Sequence, residues 1–272
     1  MRCLLTGHKG FIGSNLHNEL RCDGIDLKEN GDIRFYNFDK KYDVIFHCAA
    51  QASIPKSFED PLESHSHNVT GTLRILEHAR KTGATVVFSS SSSVYDPVSP
   101  YAIQKKMCED YMRCYWSLGV KSVALRYFNV FGEGQELANE GYSLVLSRFF
   151  DQYQKGEPFT IYGTGEQRRD FVYVGDVVQA NLMAAKFLET AEYFETFDIG
   201  TGVNWSILEV AEMISEDHPK KFLPPRVEPF QNRADITKAR ALLKWEPKTA
   251  LPQWLLQSLL LPITGRNFSK ER

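Results

Sequence analysis

Near its start the chain reads "CLLTGHKGFIGSNLHNEL", residues 3–20. An apolar run of strand length, Cys3 to Thr6, passes directly into three glycines, Gly7, Gly10 and Gly13, and into a helical pattern over residues 11–20. This order constrains the fold more than any other feature. Glycines there give a tight turn and admit a ligand against the main chain. They also aim a helix N-terminus, with its unpaired N–H groups, at whatever binds. The chemistry that fits is a pyrophosphate, and therefore a dinucleotide. The spacing G-x-x-G-x-x-G differs from the G-x-G-x-x-G of many dehydrogenases, and the strand-to-helix context carries the reading.

The alternation continues. "DVIFHCAA" (43–50) reads as a buried strand, "NVTGTLRILEHARKTG" (68–83) as an amphipathic helix, and "ATVVFSS" (84–90) as a strand. A helix from Tyr101 to about Leu118 and a strand at "SVALRYFNVFG" (122–132) follow. Strand and helix in alternation predict an α/β fold with a Rossmann-type, doubly wound parallel sheet that binds ligands beyond the carboxyl ends of its strands. After Gly132 the pattern changes. Helices are predicted at 143–156 and at 174–189, the latter capped near Asp176. A strand and turn lie at "FTIYGTG", a late strand returns to the sheet at "YFETFDIG", and short helices form at "SILEVAEMI" and "DITKARALL". Residues 1–132 are thus expected to form the dinucleotide-binding domain. Residues 133–272 would form mainly a smaller substrate-binding lobe, with segments around 174–200 returning to the main sheet.

At 272 residues and 43% hydrophobic, the chain can bury a sizeable core. Lys plus Arg total 32 against 34 Asp plus Glu, with no basic block, so nucleic acid is not an expected partner. The five cysteines are irregularly spaced without C-x-x-C, which predicts reduced thiols, a cytoplasmic setting and no metal site. The strand-and-glycine motif leaves no room for a signal peptide at the start, and "WLLQSLLLPI" is too short to span a bilayer, so no membrane partner is expected.

A carboxylate is expected at the end of the second strand. Asp26, in "GIDLK", fills the role, with the nearby Asp23 as its rival; it would accept hydrogen bonds from the adenosine ribose and favour NAD over NADP. A second feature is "SSSSSVYDPVSPYAIQKK", residues 89–106, in which five serines follow an apolar strand although serine is a poor strand and core residue. Tyr101 and Lys105 follow at i and i+4, on one helix face. An ammonium beside a phenol stabilises the phenolate, so Tyr101 is a candidate general base, with Lys105 also able to bond the nicotinamide ribose.

Taken in order, T-G-x-x-G-F-I-G (6–13), "GDIR" (31–34), "HCAA" (47–50), "NVTGT" (68–72), S-x-x-V-Y (91–95), Y-x-x-x-K (101–105), "RYFNVFG" (126–132) and "RRDFVYVGD" (168–176) resemble the extended short-chain dehydrogenase/reductase family, specifically its nucleotide-sugar epimerases and dehydratases. The order runs on through "FDIGTG" and "ADITKARALLKWEPK". The resemblance implies NAD as cofactor, held by Gly7, Gly10, Phe11, Ile12, Gly13, Asp26, Asp32, Ile33, Ala49, Ala50, Asn68, Tyr101, Lys105 and Phe128. It implies Ser91 as the catalytic hydroxyl beside Tyr101 and Lys105. It also implies a nucleotide-diphosphate sugar met by Ser53, Ser92, Ser93, Asn129, Leu144, Tyr162 and Arg169, with Arg168 as second choice for the diphosphate anchor. Family dehydratases commonly carry Asp-Glu where this chain has Ser92-Ser93, and decarboxylases Ser-Glu; Ser-Ser resembles the 4-epimerases of UDP-hexoses and UDP-uronates. A dehydratase, decarboxylase or 4-keto-reductase on the same scaffold is the alternative, and a non-catalytic dinucleotide-binding regulator a third reading. The helices near 68–83 and 101–118 resemble the pair through which the family often dimerises.

The chain also departs from the family. Only five residues separate Tyr95 from Tyr101, Asp96 stands where a glycine is usual, and the segment from the glycines to Asp26 is compressed. The arginine expected before the A-D-x-x-K-A motif is displaced, which leaves Arg233 as a substitute.

Overall fold

The computed structural model describes residues 2–29, 31–135, 145–226 and 228–260. Strands β1 (Cys3–Thr6), β2 (Asp23–Ile25), β3 (Val44–His47), β4 (Thr85–Ser91), β5 (Ser122–Tyr127) and β9 (Glu195–Ile199) form one sheet in the order β2-β1-β3-β4-β5-β9, and every pairing in it is parallel. Helices α1 (Phe11–Leu20) and α7 (Val174–Thr190) cover one face. Helices α4 (Gly71–Thr82) and α5 (Pro100–Trp116) cover the other. The central strands are buried on both faces, which is why they read as continuous apolar runs rather than alternating ones. The α/β Rossmann-type architecture is as expected.

The apolar run 122–132 divides. β5 stays in the main sheet, while β6 (Asn129–Phe131) leaves it to pair with β8 (Arg168–Tyr173), which β10 (Asn204–Ser206) flanks antiparallel. Phe128 lies at the division, buried, with its N–H on the Ile199 carbonyl at 3.0 Å. β7 (Phe159–Tyr162) pairs with β11 (Lys220–Leu223). Helices α6 (Val145–Lys155), α8 (Ile207–Ile214) and α9 (Leu251–Leu260) share a second core with these strands, centred on Phe131, Phe149, Phe159 and Phe171.

Two expectations need correction. Asp176 does not cap α7: the N-cap is Tyr173, without a side-chain cap bond. The Asp176 carboxylate instead accepts the N–H groups of Lys248 and Thr249, both at 3.0 Å, and its carbonyl accepts the indole N–H of buried Trp245 at 2.9 Å. It pins the C-terminal segment to the main domain. The "DITKARALL" segment ends as a π-helical turn, Ala239–Leu243, rather than a regular α-helix. Among the described residues, no helix is long and apolar enough to cross a membrane.

Candidate active site

The glycine loop is shaped by close approach. Gly7 has φ +76°, and a Cβ there would lie 2.7 Å from the Ala49 nitrogen; a Cβ on Gly13 would lie 2.0 Å from the Gly7 carbonyl oxygen. Phe11 and Ile12 open α1 directly beyond it, with Gly10 at the N-cap. The result is a cradle of main chain ending in a helix N-terminus, which suits a pyrophosphate. Beside it, Asp26 accepts the N–H groups of Lys9 and Lys28, each at 2.9 Å, so its carboxylate is fixed at the carboxyl end of β2. Its rival Asp23 sits at the opposite end of that strand, facing Lys40 and the Tyr42 hydroxyl, both at 3.1 Å. These groups fit a dinucleotide whose ribose hydroxyls meet a carboxylate.

Asp32 is gripped by the guanidinium of Arg34, with Nε at 3.0 and 2.8 Å from its two oxygens, and this holds its carboxyl below the usual range. Asp32 therefore offers its main chain and a neutralised side chain to a neighbour. Ile33 is buried against Gly71. Asn68 spans the next stretch: its Oδ1 accepts the Gln51 N–H at 2.8 Å, and its Nδ2 donates to the Gln51 carbonyl at 3.1 Å and to Gln104 at 2.7 Å. Ala49 and Ala50 immediately precede Gln51 in this wall.

Sequence reasoning missed what stands behind it. Thr72 donates its hydroxyl to the Asn68 carbonyl at 2.6 Å, so it accepts from His47 Nε2 at 3.0 Å. The ring proton is thereby on Nε2, and Nδ1 accepts from the Thr6 hydroxyl at 2.7 Å, which itself accepts the Ala49 N–H at 3.3 Å. Burial pushes the His47 pKa down to about 3 and keeps it neutral. The signals in the sequence were the histidine of "HCAA" and the motif threonines at 6 and 72, with nothing to join them.

At the end of β4 each serine has a separate task. The Ser89 carbonyl accepts from Lys105 Nζ at 2.7 Å, and the Ser90 hydroxyl donates to Glu109 at 2.6 Å. Ser91 Oγ accepts both the N–H of Ser93 (3.2 Å) and its hydroxyl (2.9 Å), which leaves the Ser91 proton to point elsewhere. Ser92 opens the 3-10 turn that closes at Tyr95. Ser99 caps α5 and Pro100 occupies its first position, so that Tyr101 enters on the first turn. Tyr101 is buried with its N–H on Ser57 Oγ at 3.2 Å. The Lys105 ammonium stands 5.9 Å from the Tyr101 ring centroid and 4.7 Å from that of Phe88, and burial lowers its pKa. Ser91, Tyr101 and Lys105 are thus gathered at the carboxyl edge of the sheet, the edge that also carries the glycine loop.

The smaller lobe holds a second cluster. Arg169 is mostly buried and pairs with Glu228 at 2.7 Å, while Arg168 is taken up by Asn204 and Glu209. Tyr162 lies under Arg226, whose guanidinium carbon is 3.5 Å from the ring centroid; that of Arg148 is 5.6 Å away. Arg226, in "PPRVEP", is the arginine that the sequence reading passed over. Arg233 is exposed instead and lines a cavity of about 340 Å³ with Gln231. Asn129 donates to the Asp170 carbonyl at 2.7 Å, and Ser53 caps the short helix α2 (Ile54–Glu59), which is followed by α3 (Pro61–His65). Leu144 lies outside the described residues.

Known proteins resemble this chain over most of its length. Residues 3–200 match the model of the NAD dependent epimerase/dehydratase family. The chain is 34% identical to a putative UDP-glucose 4-epimerase of Methanocaldococcus jannaschii, over 92% of this chain and 94% of that one. It is 31% identical to UDP-glucuronic acid decarboxylase 1 of Danio rerio, over 95% of this chain and 72% of that one. Among solved structures, UDP-N-acetylglucosamine 4-epimerase from Methanobrevibacter ruminantium, in complex with UDP-N-acetylmuramic acid, superposes with a TM-score of 0.85 at 30% identity, covering 95% of this chain and 96% of that one. On the glycine cradle, the serine–tyrosine–lysine constellation and a match across most of its length, this chain belongs to the NAD dependent epimerase/dehydratase family.

Proposed function

We propose that this protein is an NAD-dependent nucleotide-sugar 4-epimerase acting on a UDP-hexose or UDP-uronate. The observation that carries the reading is the grouping of Ser91, Tyr101 and Lys105 next to serines at 92 and 93, where elimination would need a carboxylate. Bound NAD would supply an acceptor, and then a donor, for the hydrogen at C4 of the sugar. Tyr101 takes the proton of the C4 hydroxyl and later returns it. The Lys105 ammonium stabilises negative charge on the tyrosine oxygen, and the Ser91 proton bonds the sugar oxygen as it changes between hydroxyl and carbonyl. Arg169 and Arg226 hold the diphosphate end, and Tyr162 borders the base. Because these groups grip the nucleotide and leave the sugar unclamped, the 4-keto ring can present either face.

The test is proton NMR of the protein with NAD and a panel of UDP-sugars in deuterated water. A C4-epimeric anomeric signal without ring deuteration is expected. The likeness to a decarboxylase supports a second reading, which release of carbon dioxide from UDP-glucuronate would establish at the expense of the first.

The protein is further proposed to be a homodimer through the outer faces of α4 and α5. On α5, Ile103 is 48% exposed, and Met107, Tyr111 and Cys114 continue its stripe at helical spacing. A monomer in light scattering would refute that arrangement. All five cysteines are free thiols, in keeping with the proposed cytoplasmic setting.

A further inference from the structure

One row of side chains beneath the catalytic turn is not used by this chemistry. Ser90 pairs with Arg126 across β4 and β5, and Arg126 with Asp198 across β5 and β9. Paired residues of parallel strands share a face, so the three stand side by side one residue short of Ser91. From α5, Glu109, 1% exposed, closes the row. It accepts from Ser90 Oγ at 2.6 Å and from Arg126 Nε and Nη2 at 2.9 and 2.7 Å.

Tyr95, the last residue of the turn that begins at Ser92, lies on this row. The Arg126 guanidinium carbon is 4.7 Å from its ring centroid, and its hydroxyl donates to Asp198 Oδ1 at 2.6 Å. The other Asp198 oxygen accepts the Asp235 N–H at 3.1 Å. Burial, with the Asp198 carboxylate as second cause, raises the Tyr95 hydroxyl to about 12, so it remains a donor at neutral pH. A buried ion pair contributes little net stability, because desolvation offsets its attraction. Its clearer effect here is to fix where the tyrosine ring rests. Only Asp96 to Pro100 then connect Tyr95 to Tyr101.

We propose that Tyr95 is a positioning residue. Clamped between Arg126 and Asp198, it fixes the height of the Ser91–Ser93 turn relative to Tyr101, and through Asp198 it ties that height to the seating of the segment at Asp235. The inference rests on the reading of Ser91 as the catalytic hydroxyl.

The test is steady-state kinetics on the full chain with whichever UDP-sugar the panel identifies. Tyr95→Phe removes one oxygen and keeps the ring on Arg126. It is expected to lower kcat on the order of tenfold, through misplacement of Ser91. KM and bound NAD should be unchanged within roughly twofold, and the isotope effect with C4-deuterated substrate should grow as the chemical step slows. Asp198→Ala, which removes the acceptor without touching the turn, is expected to give the same split between kcat and KM. Placed in a Ser91→Ala background, Tyr95→Phe should cost nothing further. An equal loss with Ser91 present or absent, or an unchanged kcat in both single variants, overturns the inference alone. Full turnover in Ser91→Ala by itself overturns the role of the serine and the inference with it.

Discussion

Lys105 Nζ donates to the main-chain carbonyl of Ser89 at 2.7 Å, so the ammonium that faces Tyr101 is also the group that secures the end of β4. Lys105→Met should therefore act twice. Turnover should be lost, because the ammonium that faces the tyrosine is removed. The Ser89 carbonyl should be left without its partner, at a cost of about 1–3 kcal/mol. Urea unfolding and an NMR epimerisation assay on the same preparation measure both effects.

Tyr101→Phe separates the two roles. The phenol oxygen is removed while the Lys105–Ser89 bond is kept, so stability and NAD binding should survive and epimerisation should cease. Near-normal turnover in this variant would remove Tyr101 from the mechanism.

Glu228 occupies Arg169 at 2.7 Å, and a diphosphate bound as proposed would displace it. Glu228→Gln removes the competing charge, and UDP should then bind several-fold more tightly, corresponding to about 1 kcal/mol. Titration calorimetry with UDP reads this directly. Weaker binding would mean that Glu228 orients the arginine rather than masks it.

His47 links pH to stability. Its folded pKa of about 3 lies below the ordinary value of 6.5, because burial disfavours the charged ring. Below about pH 6.5 the unfolded chain takes up a proton that the folded chain does not, so stability falls as pH drops from there towards 3. The slope is at most about 1.4 kcal/mol per pH unit. Above 6.5 both states hold the ring neutral, and this stability is fully present and independent of pH. His47→Gln should flatten the pH dependence of urea unfolding between pH 6.5 and 4.5, which compares directly with the parent chain.

The parallel sheet was legible because buried parallel strands are continuous apolar runs, and "CLLT", "VIFH" and "TVVF" are all of this kind. The cradle was legible because glycine is required wherever a Cβ would strike main chain, as at Gly7 and Gly13. That Tyr101 and Lys105 share a helix face could be read from their spacing, and the serine run before them is what singled the pair out. What stayed hidden depends on contacts between residues distant in sequence. Arg226 and Tyr162 are neighbours only after β7 and β11 pair. Asp176 looks like a cap until the segment at 248–249 folds back onto it. Thr6 and Thr72 belong to motifs legible in the sequence, but their contact with His47 is visible only once β1, β3 and α4 are packed together.

The assignment of the His47 proton to Nε2 has a spectroscopic consequence. That proton points at the Thr72 hydroxyl, and the buried ring is held between Thr72 and Thr6 behind Ala49 and Asn68, so its exchange with water requires this wall to open. A slowly exchanging, downfield imidazole N–H resonance should be visible in ordinary water. Its lifetime would report the opening of the wall at Ala49 and Asn68 from inside the protein, without any label or substrate.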